Sequence, residues 1–140
     1  MSDTLKWVLV PLILRLGLAA VFIFHGLEKV HPDKGFGSNW NPDIPVPEAA
    51  KVPAQLATAW GELLGGVALA VGFLPRLAAL GLIVIMAGAI ATVTGKNGFG
   101  VLNHGWEYNM VLIVMAAAVF ILGGGPLGVG YWLGYKPSKT

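Results

Sequence analysis

The stretch WVLVPLILRLGLAAVFIFHGL, residues 7–27, decides the fold. Its only formal charge is Arg15. At about 1.5 Å per helical residue it is long enough to cross the roughly 30 Å of a bilayer's hydrocarbon core. It is too long, and too charged at its centre, for a cleavable signal peptide. Pro11 falls near the predicted helix start, where a missing N–H is tolerated best. Three similar stretches follow. The second, about 55–74, contains Glu62. The third, 77–94, comes after a Pro75-Arg76 break, and the fourth, 106–122, is closed by Gly123-Gly124-Gly125-Pro126. Between the first two spans lies one long loop, 28–54, rich in proline (Pro32, Pro42, Pro45, Pro47, Pro53). A shorter, turn-rich loop, 95–105, precedes the fourth span. The expected fold is all-α: a single membrane domain over 1–140, built as a four-helix bundle with both termini on one side.

Composition agrees with this reading. Of the 140 residues 56% are hydrophobic and 11% charged, with a mean hydropathy of +0.73. Soluble domains carry about 25% charged residues, so a soluble globular enzyme is excluded, and so apolar a chain is not disordered. The net charge of +2 comes from nine Lys and Arg spread along the chain, which gives no basis for nucleic-acid binding. The absence of cysteine excludes disulfides, thiol redox relays and Cys-ligated zinc or iron–sulfur centres. Lys6, Arg76, Lys136 and Lys139 fall on the terminal side, against Lys29, Lys34, Lys51 and Lys96 on the loop side. The counts tie. The short flanks and the protonated N-terminus then favour cytoplasmic termini, in a bacterial inner membrane.

Helices surrounded by lipid associate through close packing and polar contacts. Ala57, Gly61 and Gly65 recur four apart on the second span, with Gly66 and Ala70 widening the stripe, and Gly81 and Gly88 lie seven apart on the third. These small residues are expected to pack helices within the chain, with a homodimer face as the alternative. A charge at membrane depth costs about 2.5–3.5 kcal/mol on insertion scales and demands a partner. Arg15 lies about 12 Å from Trp7 and 18 Å from Leu27. Glu62 lies about 10 Å inward from its loop-side end, so the expected axial gap of around 8 Å is within an arginine's reach. An Arg15–Glu62 pair is therefore the expectation, either as a structural lock between the first two helices or as the lining of a proton- or quinone-facing cavity.

The other intramembrane polar residues collect at one end. His25, Glu28, Lys29, Thr92, Thr94, His104, Glu107 and Asn109 all fall at the loop-side ends of their spans, with Trp60, Trp106 and Tyr108 at the same level. Aromatic residues there serve as interfacial anchors, and a quinone headgroup uses the same residue types. His25-x-x-Glu28 and His104-x-x-Glu107 each place two side chains on one helix face. With Glu62 they offer nitrogen and oxygen ligands, but the order is the reverse of the Glu-x-x-His motif in di-iron bundles, and no metal is expected. Haem would need His25 and His104 turned toward each other.

Several of these residues carry a resemblance to a known family. Arg15-x-Gly17, Phe22 and His25-Gly26-Leu27-x-Lys29 resemble the first-helix signature of the DoxX family of small bacterial membrane proteins. The similarity continues through Glu62-Leu63-Leu64-Gly65-Gly66, Gly72-Phe73-Leu74-Pro75-Arg76-Leu77-Ala78, Met86 and Ala89, Asn97-Gly98-Phe99, and Gly105-Trp106-Glu107-Tyr108. Residues 31–53 are the least similar part, and Glu28 stands where relatives often carry Gln. The resemblance implies a four-helix integral membrane protein. It also implies a link to quinone chemistry, since the family is named for a subunit tied to terminal quinol oxidase and thiosulfate:quinone oxidoreductase systems. Other members associate with membrane oxidoreductase complexes in oxidative-stress defence. The positions matching its recurrent polar motif are Arg15, His25, Lys29, Glu62, Asn97 and Glu107.

The expected function is a membrane subunit of a quinone-linked oxidoreductase or respiratory complex. Glu62 and Glu107 would relay protons, and His25 would donate a hydrogen bond to the headgroup. Arg15, Lys29, Asn97, Trp106 and Tyr108 would complete the binding end. No electron-transfer cofactor is evident in the chain, so protein partners in the membrane would supply electrons and lipid would surround the bundle. The alternative is a non-catalytic assembly or anchoring subunit whose polar residues hold the bundle together and whose Pro-rich loop docks the partner. A small-solute carrier is disfavoured by four short spans without inverted repeats or broken helices.

Overall fold

The computed structural model describes residues 2–31 and 45–134. The Asp3–Val30 stretch forms one helix, α1, with the Ser2 hydroxyl accepting from the Leu5 amide at its start. It starts four residues before the predicted span, so Pro11 lies in the helix interior rather than its first turns. Proline there frees the Trp7 carbonyl, and the buried Pro11 ring packs beside Gly125.

Helix α2 runs Glu48–Val71 and α3 runs Pro75–Ala89, continuing through a π-helical turn at Ile90–Thr94. After two 3₁₀ turns at Gly95–Asn97 and Val101–Asn103 the chain enters α4, Glu107–Leu122, and then a short α5, Val129–Trp132. Among the described residues there is no strand. Helices α1 and α2, and α3 through Asn97, are long and apolar enough to cross a membrane, and α4 is a shorter apolar helix. At 16 residues it is about 24 Å long. The expected all-α membrane bundle is the architecture found. Its boundaries shift at the long loop: α1 runs on to Val30 and α2 begins at Glu48, with Pro53 inside it, so the connection between the two helices is shorter than 28–54. Pro32, Pro42, Lys34, Lys136 and Lys139 lie outside the described residues.

The helices pack antiparallel in the order α1, α2, α3, α4, with α4 returning to α1. Glycines set the register of α1 on α2. A Cβ at Gly26 would fall 2.6 Å from the Leu63 nitrogen, and one at Gly66 would fall 2.9 Å from the Ile23 nitrogen, so only hydrogen allows the backbones this close. Helices α2 and α3 cross where Gly61 meets Ile85 and Gly65 meets Leu82. Leu18, Phe22, Leu69, Leu82, Leu112 and Val119 fill the centre. Large apolar side chains such as Ile13, Phe24, Leu64, Leu77 and Ile121 point outward, which suits a hydrocarbon surrounding and no aqueous one.

This register separates Arg15 from Glu62. With Gly26 against Leu63, Glu62 lies level with the end of α1, while Arg15 reaches the far end of α2. The axial gap is about 18 Å rather than 8 Å, and the expected Arg15–Glu62 pair does not form. Instead the buried Arg15 guanidinium donates from Nη1 to the Gly124 carbonyl and from Nη2 to the Ala70 carbonyl at 3.4 Å. Its Nε has no partner. Gly72 (φ +70°) and Gly128 close over it, and a Cβ at either would collide with Nη1. Arg15 thus ties the α2–α3 turn to the glycine run after α4.

Candidate functional site

A cavity of about 710 Å³ opens at the loop-side end of the bundle, within the roughly 300–1,000 Å³ typical of small-molecule sites. α1 contributes Phe22, His25 and Lys29. From α2 come Ala54, Ala57, Thr58 and Glu62; α3 and its π turn add Met86, Gly88, Thr92 and Thr94, and the last wall carries His104, Tyr108 and Asn109. Most of the remaining lining is aliphatic.

The polar centre of the cavity is an ion pair. Lys29 Nζ donates to Glu62 Oε2 at 2.5 Å. Only 4% of the Glu62 side chain is exposed, against 33% for Lys29, so the carboxylate lies inside and the ammonium reaches toward the loop-side surface. The pair follows from the Gly26–Leu63 register, which brings the next turn of α1 beside Glu62. One turn back on α1, His25 Nδ1 lies 3.8 Å from Glu28 Oε2.

The opposite wall is a second polar group. Thr94 Oγ1 donates to Asn109 Oδ1 at 3.1 Å, and Asn109 Nδ2 donates to Met86 Sδ at 3.4 Å. The π turn sets Thr94 here, and Thr92 Oγ1 donates back to the Gly88 carbonyl at 2.8 Å. Single π turns inside α-helices are frequent at functional sites, and this one forms the cavity rim.

Of the residues expected to act, the structure brings His25, Lys29, Glu62 and Tyr108 to this cavity. It places four others elsewhere. Arg15 is at the opposite end, as described. Asn97, Trp106 and Glu107 close the 95–106 loop on itself. Asn97 Nδ2 donates to the His104 carbonyl at 3.1 Å, and Glu107 Oε2 accepts from the Val101 amide at 2.8 Å. Trp106 stands edge-on to Phe99, with ring centroids 4.8 Å apart. Gly105 lies so close under the Gly98 and Phe99 carbonyls that any Cβ would clash. Among the described residues no group of three or more His, Asp or Glu could hold a metal ion.

Sequence reasoning missed Ala54, Ala57, Thr58 and Met86 as cavity walls, and it assigned Gly88 to helix packing. Among the described residues no atom lies within 4 Å of a Cβ at Gly81 or Gly88, so neither glycine packs described helices together. The available signal was the run of small residues on α2 facing Gly88 across the loop-side half of the bundle.

No curated protein and no solved structure matches the chain. The family model described as DoxX matches residues 10–95, which span most of α1, all of α2 and α3, and the π turn. That match takes in Arg15, His25, Lys29 and Glu62, and stops before Asn97 and Glu107. Covering well over half of the sequence, it shows that this multi-pass membrane protein belongs to the DoxX family.

Proposed function

We propose that the protein is a membrane subunit of a quinone-linked oxidoreductase, and that the loop-side cavity holds the quinone headgroup. The observation that carries this reading is the Lys29–Glu62 pair set into a largely aliphatic cavity of about 710 Å³. The donor set fits. The Lys29 ammonium, the Tyr108 hydroxyl and the His25 and His104 imidazoles can all donate to ring oxygens, and the aliphatic walls accept an apolar ring face. A bound quinol supplies two electrons and two protons. No electron carrier is evident in the sequence, and in this reading the electrons pass to a redox centre on a partner protein. Glu62 accepts one proton at the inner end of the cavity, held in position by Lys29, one third exposed, and the second proton passes to the loop-side water. With cytoplasmic termini in a bacterial inner membrane, that water is on the outer side.

Purified protein titrated with a quinone analogue in detergent tests this. Binding that weakens in Glu62→Gln is expected; no binding, or binding indifferent to that substitution, overturns the reading. A second reading, a non-catalytic assembly subunit, is favoured by one observation. Arg15, Asn97 and Glu107, all matching the family's polar motif, hold chain segments together rather than lining the cavity. Under that reading the protein binds no quinone, yet its loss dissociates the partner complex.

A further inference from the structure

The cavity is not closed on the side of the membrane. Helices α2 and α3 touch where Gly61 meets Ile85 and Gly65 meets Leu82. One turn further toward the loop side, Ala57 on α2 and Gly88 on α3 are both exposed and both cavity walls. Val84, 65% exposed, lines the same opening. Exposed surface between two membrane helices is surface in contact with lipid. The opening therefore leads into hydrocarbon, and the polar end at Lys29 and Glu62 lies behind it.

Gly88 supplies an independent observation. A glycine inside a helix weakens it by roughly 0.5–1 kcal/mol relative to alanine unless close packing requires it. No atom lies within 4 Å of its missing Cβ, so packing does not account for it. A side chain at this position would project into the opening that Gly88 lines.

We infer that the cavity is filled from the membrane through the slot between α2 and α3, and that its occupant is a long-tailed hydrocarbon molecule bearing a polar head. The head reaches Lys29 and Glu62, and the tail lies in the slot over Ala57, Val84 and Gly88. The inference deepens the quinone reading, rests on it for the identity of the head, and stands apart from it in the tail. Two features favour this occupant over a water-soluble one: Ala57, Val84 and Gly88 at the opening are apolar and exposed, and the charged pair of the cavity is Lys29–Glu62.

The test uses two substitutions on one helix. Gly88→Leu adds bulk at the slot from a position whose Cβ meets no described atom within 4 Å, and Gly81→Leu makes the same change on the same helix outside the cavity. Two ligands are compared in the full-length protein: a long-chain prenyl quinone and the same quinone ring bearing only a methyl group. A prenyl alcohol carrying a photoreactive diazirine in its tail, which has no quinone head, serves as a third reporter. The expected result is preferential binding of the long-chain quinone, weakened on the order of tenfold by Gly88→Leu and unchanged by Gly81→Leu. The diazirine should label α2 and α3 beside the slot in wild type and Gly81→Leu, and lose that labelling in Gly88→Leu. Labelling by the alcohol without quinone binding supports the slot and removes the quinone reading. Equal binding of both quinones, unaffected by Gly88→Leu, overturns the slot and leaves the quinone reading standing. If no ligand binds and no label attaches at the slot, both fall.

Discussion

Removing one partner of the Lys29–Glu62 pair should not cost the same from either side. Lys29→Met leaves a carboxylate of 4% exposure in apolar surroundings without its cation. Breaking a buried pair in this way costs about 3–5 kcal/mol. Glu62→Gln leaves the opposite partner, one third exposed, which can extend to loop-side water, and the Gln carbonyl still accepts from the Lys29 ammonium. That loss should be about 1–2 kcal/mol. The double variant Lys29→Met with Glu62→Leu removes both charges and should return to within about 1 kcal/mol of wild type, because apolar replacement of a buried pair is often close to neutral. Thermal unfolding in mild detergent, followed by circular dichroism, should place Lys29→Met on the order of 10 °C below wild type, with the double variant close to it. Equal losses in the two single variants, or a double variant no more stable than Lys29→Met, would show that the buried carboxylate does not depend on its cation. The reasoning from burial would then be refuted.

Gly26→Ala should separate α1 from α2, since its methyl group meets the Leu63 backbone; a loss of about 1–3 kcal/mol is expected, against no measurable loss for Gly81→Ala in the same unfolding assay. Arg15→Met orphans the Gly124 carbonyl and should cost about 1–3 kcal/mol. Limited proteolysis should then cut between Gly123 and Gly134, where wild type resists. Glu107→Ala releases the Val101 amide and should speed protease cleavage between Gly98 and Gly105 while leaving quinone affinity unchanged. A fall in that affinity without faster cleavage would return Glu107 to the site.

Periodicity and span length made α1 readable because nothing in residues 7–27 except Arg15 opposes a membrane helix. The start of α2 was hidden by Pro47, Glu48, Lys51 and Pro53, which read as loop chemistry although the helix accommodates all but its capping Pro47. The Arg15–Glu62 expectation failed for a different reason. It aligned the ends of two apolar stretches, whereas the true register comes from two glycines, Gly26 and Gly66, that let backbones touch. Polar clustering at the loop side was legible, and His25, Lys29, Glu62 and Tyr108 do share a cavity. What composition could not show is how Asn97, Trp106 and Glu107 are used. Asn97 and Glu107 take backbone groups of neighbouring residues as partners and Trp106 the Phe99 ring within the same loop, and such local contacts leave no mark in a pattern of side-chain types.

Arg15 is charged, enclosed, and satisfied only by carbonyl dipoles. No described acid pairs with it, so its unit of charge is not cancelled locally and remains subject to any voltage across the bilayer. A full crossing would involve about 2.3 kcal/mol per 100 mV, and Arg15, fixed in the terminal-side half, works against a fraction of that. Were the termini on the negative side, the resting potential would draw this helix toward the side it already occupies and hold the glycine clasp shut. An energised membrane would then be part of what stabilises the protein, and de-energising it would loosen the end of the bundle opposite the cavity.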